Sequence, residues 1–344
     1  MTWRFAGIDF DQMHQHSNLS HVVDHPDADL VGVCDPDPST STGSLPDTVE
    51  SLSIPDAAVY DDEAVLLETT DPDVVMGCPR NSEHANFVER MADYDVHVVI
   101  EKPMAATLED ADRMIAAMDD SDGELFVNWP SMWNPTAHAV RDLIQSGEIG
   151  DVLELQYTGG NAGAPPAGSW FYDPDSGGGS MLDYLGYGTT FSTWFRDGDL
   201  PERVYANAHV PADASTDFQS ATTCEYERGI AVLQTTWRMI EHPWEAPSIP
   251  AKGYEIVGTD GAITTREQDV PIRLQTAESP AGRSIDPEPL DDEFADIVAY
   301  VVDRLDADAD PEGPADPAFC REVQRIIETA RQSVEAGESL PLVE

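Results

Sequence analysis

The sequence predicts an α/β protein in two parts. Residues 1–127 read as a Rossmann-type, doubly wound parallel sheet, and residues 128–344 as an α+β domain with a large, mostly antiparallel open sheet. Three observations lead there. Up to about residue 128 short apolar runs alternate with amphipathic helical patterns, as in a parallel sheet covered on both faces. Beyond that point strand-like runs follow one another directly, with Glu227-Arg228-Gly229 and Asp260-Gly261 as hairpin turns. The chain has 344 residues, 41% of them apolar, which is enough for two cores.

Taken in order, Trp3 to Ile8 is a first strand running through Gly7, and Leu30 to Cys34 is a second, ending in Asp35. A glycine turn followed about 28 residues later by an acid is the dinucleotide-fold spacing. In that fold a pyrophosphate lies over a helix N-terminus and the acid meets the adenosine ribose. The fingerprint register asks for glycine at 7, 9 and 12, where the sequence has Gly7, Asp9 and Gln12. A carboxylate beside a pyrophosphate is electrostatically unfavourable. Residues 36–56, rich in Ser, Thr and Pro, read as a linker. Asp73 to Cys78 is another buried strand, and Pro79-Arg80-Asn81-Ser82-Glu83-His84 opens the next helix.

The β-branched run Val96 to Ile100 stops at Glu101-Lys102-Pro103. Pro103 lacks a ladder donor and pushes Lys102 away from helical angles. The Lys102 ammonium is therefore expected at the carboxyl end of a strand, where open α/β sheets bind ligands. A surface Glu-Lys pair closing an ordinary strand is the competing explanation. A helix follows with Thr107 as N-cap and Leu108, Ala111, Met114, Ile115 and Met118 on one stripe, then a strand, Leu125 to Asn128.

In the second half, helices are expected at 136–146, 291–304 and 317–336, and strands at 152–157, 203–210, 221–227, 230–237, 254–258 and 262–265. Gly177-Gly178-Gly179 opens a helix carrying Asp183 and Tyr187 at i and i+4, hence on one face. A triple glycine there leaves backbone N–H groups free and lets a ligand approach. Taken alone, Tyr187 is better explained as a core aromatic with a satisfied hydroxyl.

Charge excludes several functions. With 66 acidic against 18 basic residues the formal net is −48, spread along the chain. No basic patch exists to neutralise phosphates, so nucleic acid is disfavoured. No run of about 18 apolar residues suggests a membrane span, and no leader is evident. Cys34, Cys78, Cys224 and Cys320 match no metal spacing and suit a reducing, cytoplasmic setting.

Four segments together resemble the glucose-fructose oxidoreductase / inositol dehydrogenase (Gfo/Idh/MocA) family. They are Val31-Gly32-Val33-Cys34-Asp35-Pro36-Asp37, Cys78 to His84, Glu101-Lys102-Pro103, and Gly177 to Tyr187. Tyr187 stands where the family usually has histidine, and Leu185 where it has glycine. The resemblance implies an NAD(P)-dependent oxidoreductase of a sugar, sugar derivative or polyol, assembled as a dimer or tetramer. It implies Lys102, Asp183 and Tyr187 as catalytic residues. It also implies Gly7, Asp9, Phe10, Asp35, Pro36, Cys78, Asn81, His84, Glu101 and Lys102 around the cofactor. Asn128, Trp133 and Trp170 are expected to line the substrate cleft with the catalytic three. Asp35 favours NAD, since a carboxylate accepts from a ribose 2′-hydroxyl and repels a 2′-phosphate, though NADP stays open. A dinucleotide or sugar sensor without turnover is the alternative, suggested by the altered glycines.

The carboxylate coat repels itself at low ionic strength, and salt screens it within a Debye length of about 8 Å or less. Adaptation to a salt-rich cytoplasm is the preferred explanation. Circular dichroism should show structure lost well below about 1 M salt. An unchanged melting temperature at about 50 mM would remove that explanation.

Overall fold

The computed structural model describes residues 1–160, 165–237, 252–265 and 271–344. Its first sheet is built from β1 (Trp3–Ile8), β2 (Ala28–Cys34), β3 (Val59–Tyr60), β4 (Val74–Gly77), β5 (His97–Glu101) and β6 (Leu125–Asn128). Their order is β3-β2-β1-β4-β5-β6, every pair parallel. The chain therefore winds outward from β1 in both directions, and the point of reversal lies between β1 and β4. Helices α1 (Gln15–Asp24), α2 (Leu45–Leu52), α3 (Glu63–Thr70), α4 (His84–Ala92) and α5 (Leu108–Asp119) make the crossovers. As expected from the sequence, Thr107 caps α5, its Oγ1 accepting from the Asp110 N–H at 3.1 Å.

One expectation fails here. Residues 36–56 are not a plain linker, because α2 occupies their second half. Ser44 caps it by accepting from the Asp47 N–H, and Pro46 sits in its first turn, where a missing N–H costs nothing. Leu45, Val49 and Leu52 then pack on a small core of Phe10, Leu19, Val33 and Ile54. Only that tertiary contact makes so short a helix worth forming.

After α6 (Pro135–Gln145) come β7 (Val152–Gly160), α7 (Ser180–Phe195), β8 (Arg203–His209), β9 (Gln219–Glu225) and β10 (Ile230–Thr236). Then follow β11 (Gly253–Gly258), β12 (Gly261–Thr265), β13 (Ile272–Thr276) and β14 (Arg283–Ile285). Helices α8 (Ile297–Asp306) and α9 (Pro317–Ala336) and the short β15 (Leu340–Pro341) end the chain. The second sheet runs β14-β13-β12-β11-β7-β10-β9-β8-β15. It is antiparallel except where β10 pairs with β7. The sequence reading does not announce β13 or β14, two short strands at one end of the sheet, β14 forming its edge.

One face of this sheet packs on α6, α7 and α9, with Leu155, Ala231, Leu233 and Ile256 facing inward. Tyr205, Ile230 and Val257 point outward and are about two-fifths exposed. Helix α8 leaves the second domain and joins the first core through Ile297, Val298, Tyr300 and Val301. All four cysteines are buried and unbridged. Among the described residues no helix is long and apolar enough to cross a membrane.

The two domains meet at Trp129, directly after β6. Its indole is 1% exposed, donates to Cys320 Sγ at 3.3 Å, and lies edge-on to Tyr187 with centroids 5.4 Å apart. Helix α7 comes this close only because residue 186 is glycine: a Cβ there would stand 2.4 Å from Trp129 Cη2. Gly186→Ala should overpack this joint and destabilise the fold by about 1–3 kcal/mol. Denaturant titration of the variant checks it, and an unchanged midpoint would mean that the two elements separate freely.

Candidate active site

Lys102 leaves the carboxyl end of β5 and is 4% exposed. Its Nζ donates to Asp183 Oδ1 at 2.7 Å and to the Asp183 carbonyl at 3.3 Å. Asp183 belongs to the first turn of α7, where the helix dipole favours a carboxylate. Its other oxygen, Oδ2, accepts from the Trp237 indole at 2.9 Å. The ammonium also stands over two phenol rings on the same helix face, 5.3 Å from the Tyr187 centroid and 5.8 Å from that of Tyr184. Burial works against its charge. The Asp183 carboxylate, with Tyr187 and Tyr184 behind it, outweighs burial and holds the group well above the usual lysine range. At neutral pH Lys102 is a fixed cation, not a proton acceptor.

Beneath the lysine lies a buried polar network. Glu101 Oε1 accepts from Asn18 and Asn128, each at 2.9 Å, while Oε2 stands 3.2 Å from His14 Nδ1. Burial pushes this carboxyl up, but His14, Asn18 and Lys102 more than offset it and hold Glu101 below the ordinary range. Asn128 also donates to Asn18 Oδ1, and its own Oδ1 accepts from the Trp133 indole at 3.0 Å. The network ties α1, β5 and β6 together and fixes the strand end that aims Lys102.

The start of α7 corrects another expectation. Its amides are not open to a ligand: Ser180 N–H donates to the Asp217 carbonyl and Met181 N–H to Asp217 Oδ2. The Asp217 carboxylate, also bonded by Ser180 Oγ at 2.6 Å, answers the positive helix end. The glycines serve close approach instead. Gly177 has φ 77°, its carbonyl accepts from Asn81 Nδ2 at 2.8 Å, and a Cβ on it would stand 2.7 Å from Asn81 Cβ.

At the nucleotide end, the backbone of the fingerprint persists although its residues do not. A Cβ on Gly7 would lie 2.6 Å from Leu19 Cδ2, so this glycine lets α1 pack on β1. Asp9 has φ 64°, the left-handed conformation that glycine ordinarily supplies there. Burial, with Asp11, Glu63 and Asp35 adding to it against Arg90, pushes the Asp9 carboxyl up to about 7. A carboxyl that stays neutral up to about pH 7 can neighbour a pyrophosphate below that pH. Asp35 ends β2, where its carboxylate receives the Phe10 N–H and the Ser41 hydroxyl, the latter at 2.9 Å. These residues fit a dinucleotide: Gly7 and Asp9 would lie under its pyrophosphate and Asp35 at its ribose.

Other expected residues do not line the cavity at Lys102. The Phe10 ring sits in the core beside Leu19, and Cys78 is buried against Asn18. The His84 ring nitrogens stand 3.0 and 3.1 Å from the Met104 and Pro79 carbonyls, joining two loops. Asn81 is buried between Gln12 and Gly177, and Pro36 is exposed. Asn128 and Trp133 belong to the network, and Trp170 turns inward to donate to the Asp11 carbonyl at 2.8 Å. None of these three lines the cavity of about 120 Å³ at Lys102. Gln12, His14, Phe171, Tyr184 and Trp237 line it instead, with Asp183 and Tyr187. Tyr184 was available to sequence reasoning, being one residue beyond Asp183 and three before Tyr187 on the same helix.

Fold and site define a two-domain protein of the dinucleotide-binding class. Residues 8–129 match the oxidoreductase family with an NAD-binding Rossmann fold, and residues 137–264 match the GFO/IDH/MocA C-terminal domain. The chain belongs to the Gfo/Idh/MocA family, and its first domain is of the NAD-binding type. It is 28% identical over 212 residues to dTDP-3,4-didehydro-2,6-dideoxy-alpha-D-glucose 3-reductase of Saccharopolyspora spinosa, covering 60% of this chain and 61% of that one. It is 26% identical over 214 residues to D-xylose 1-dehydrogenase (NADP(+)) 2 of Haloferax volcanii, covering 62% of each. The matched stretches thus span about three-fifths of both relatives. Among solved structures it is similar to the aldose-aldose oxidoreductase of Caulobacter crescentus, with TM-score 0.83 and 19% identity over 99% of this chain and 100% of that one.

The Asp9 carboxyl carries a pH signature. Its pKa is raised, so it is neutral below about 7 and charged above, and only the neutral form suits a pyrophosphate. NAD affinity, measured by calorimetry, should weaken above pH 7 by up to about tenfold per pH unit. Asp9→Asn should flatten that slope. A slope shared by wild type and variant would place the titration elsewhere.

Proposed function

We propose that this chain is an NAD(P)-dependent oxidoreductase acting at the carbinol carbon of a sugar, sugar derivative or polyol. What supports it most is the meeting of Lys102, Asp183 and Tyr187 at one cavity between the two domains. A bound nicotinamide would supply or take the hydride. The Tyr187 hydroxyl exchanges the proton of the substrate hydroxyl. An ordinary phenol titrates near pH 10, and a neighbouring ammonium favours its deprotonated form. Lys102 supplies that charge, which Asp183 maintains and the Trp237 indole orients through Asp183. Asp35 favours NAD over NADP, by accepting a ribose hydroxyl and repelling a 2′-phosphate. The outward face bearing Tyr205, Ile230 and Val257 is the surface through which copies of this chain would associate.

The proton carrier is tested by Tyr187→Phe, which removes only the hydroxyl. Folding and NAD binding should survive while turnover of a sugar or polyol falls by about 10²–10⁴. Lys102→Met should lose at least as much, and the double variant little more than the worse single one. Near-normal turnover in Tyr187→Phe would move the proton role elsewhere, with Tyr184 next to examine.

A further inference from the structure

A proton set down in the cavity at Lys102 has to leave it before the next turnover. Lys102 cannot carry it out, because Asp183 holds it as a cation, and the two side chains are only 5% and 14% exposed. His14 lines the same cavity and is 40% exposed, so its ring borders both the cavity and bulk water. It stands at the start of α1, and its Nδ1 lies 3.2 Å from Glu101 Oε2 at the end of β5.

Glu101 settles the tautomer of that ring. The carboxyl is held in its ionised form, so Oε2 can only accept and Nδ1 must donate. In the neutral ring Nε2 is then the acceptor. Among the described residues Nε2 has no hydrogen-bond partner. A carboxylate on the far nitrogen also favours the imidazolium that forms when Nε2 takes a proton, as in the hydrolytic triads. Across the cavity stand the Lys102–Asp183 pair and the phenols of Tyr184 and Tyr187. An imidazole between them and the solvent is the side-chain type best suited to passing protons near neutrality.

We propose that His14 is the proton outlet of this site, taking the proton that Tyr187 removes from the substrate hydroxyl and releasing it to bulk water. Glu101 orients the ring. The carbinol C–H pair leaves as hydride to the nicotinamide, and the hydroxyl proton passes to the Tyr187 phenolate oxygen, to His14 Nε2 and then to water. Phenol and imidazole thus end each turnover as they began, and reduction runs the path backwards. The cavity of about 120 Å³ has room for a few waters, so the transfer between the two rings can run through a short water bridge. This rests on the reading of Tyr187 as the proton carrier.

The test uses the full-length protein in high salt with a sugar or polyol that the wild type oxidises. His14→Asn keeps an amide donor for Glu101 but carries no proton, and His14→Ala leaves room for free imidazole. Both should show the wild-type circular dichroism and bind NAD in calorimetry with unchanged affinity. Their kcat should fall at least about tenfold with KM unchanged. Free imidazole should restore turnover in His14→Ala and add nothing to the wild type, a rescue that a merely structural residue would not show. Unchanged kcat in both variants overturns the outlet and leaves the dehydrogenase reading standing. A loss that imidazole does not restore, or that comes with weaker NAD binding, makes His14 a brace or a cofactor contact and overturns it too. Should His14→Ala fail to fold, the solvent deuterium isotope effect on kcat decides: it should rise in His14→Asn, and an unchanged value overturns the outlet. If the wild type oxidises no sugar or polyol, the dehydrogenase reading itself falls, and the outlet with it.

Discussion

An ammonium taken out of water must be answered within hydrogen-bond distance, and the whole site is arranged around that requirement. Lys102 comes from one domain and its carboxylate, Asp183, from the other, so the pair forms only when β5 and α7 are brought together. Replacing such a pair by apolar groups is often neutral or stabilising, whereas removing one partner leaves a buried charge unanswered and costs about 3–5 kcal/mol. The pair is therefore better understood as fixing geometry than as adding stability. Trp129 against Gly186, and Asn81 against Gly177, hold the two domains at the separation the pair needs.

Seen from the pair outward, each neighbouring group has a definite task. Glu101 sits one residue before the lysine, yet its charge is answered on the other side of the strand end by His14, Asn18 and Asn128. The two adjacent charges thus have separate hydrogen-bond partners, while the ammonium still helps to keep Glu101 ionised. Trp237 holds the far oxygen of Asp183, which leaves the near one on Lys102. The phenols of Tyr184 and Tyr187 are stacked, with centroids 5.8 Å apart, and both face the cation.

Much of this is legible in the sequence because it depends on local rules. The parallel strands are short β-branched runs, and Pro103 marks where β5 must stop. Spacing of i and i+4 is enough by itself to put Asp183 and Tyr187 on one helix face. What escapes such rules depends on contacts far apart in the chain. The Asp217 cap on α7 joins residues about 36 positions apart, and no local pattern announces it. Trp133 and Trp170 look like cleft aromatics, but an indole goes where its N–H finds an acceptor, and both acceptors lie inside. Helix α2 is hidden by its polar, Pro-containing composition.

The two lysines, Lys102 at the cavity described and Lys252 at another that Tyr184 and Tyr187 also line, have a consequence for the chemistry of the protein as a reagent. Every lysine of this sequence is in or beside the site. Acylating labels, amine-directed cross-linkers and activated supports, which on most proteins react at many surface lysines, have here only these two side chains to attack. Lys102 is buried and Lys252 half-buried. Acylation of lysine would therefore modify the site before any other part of the fold.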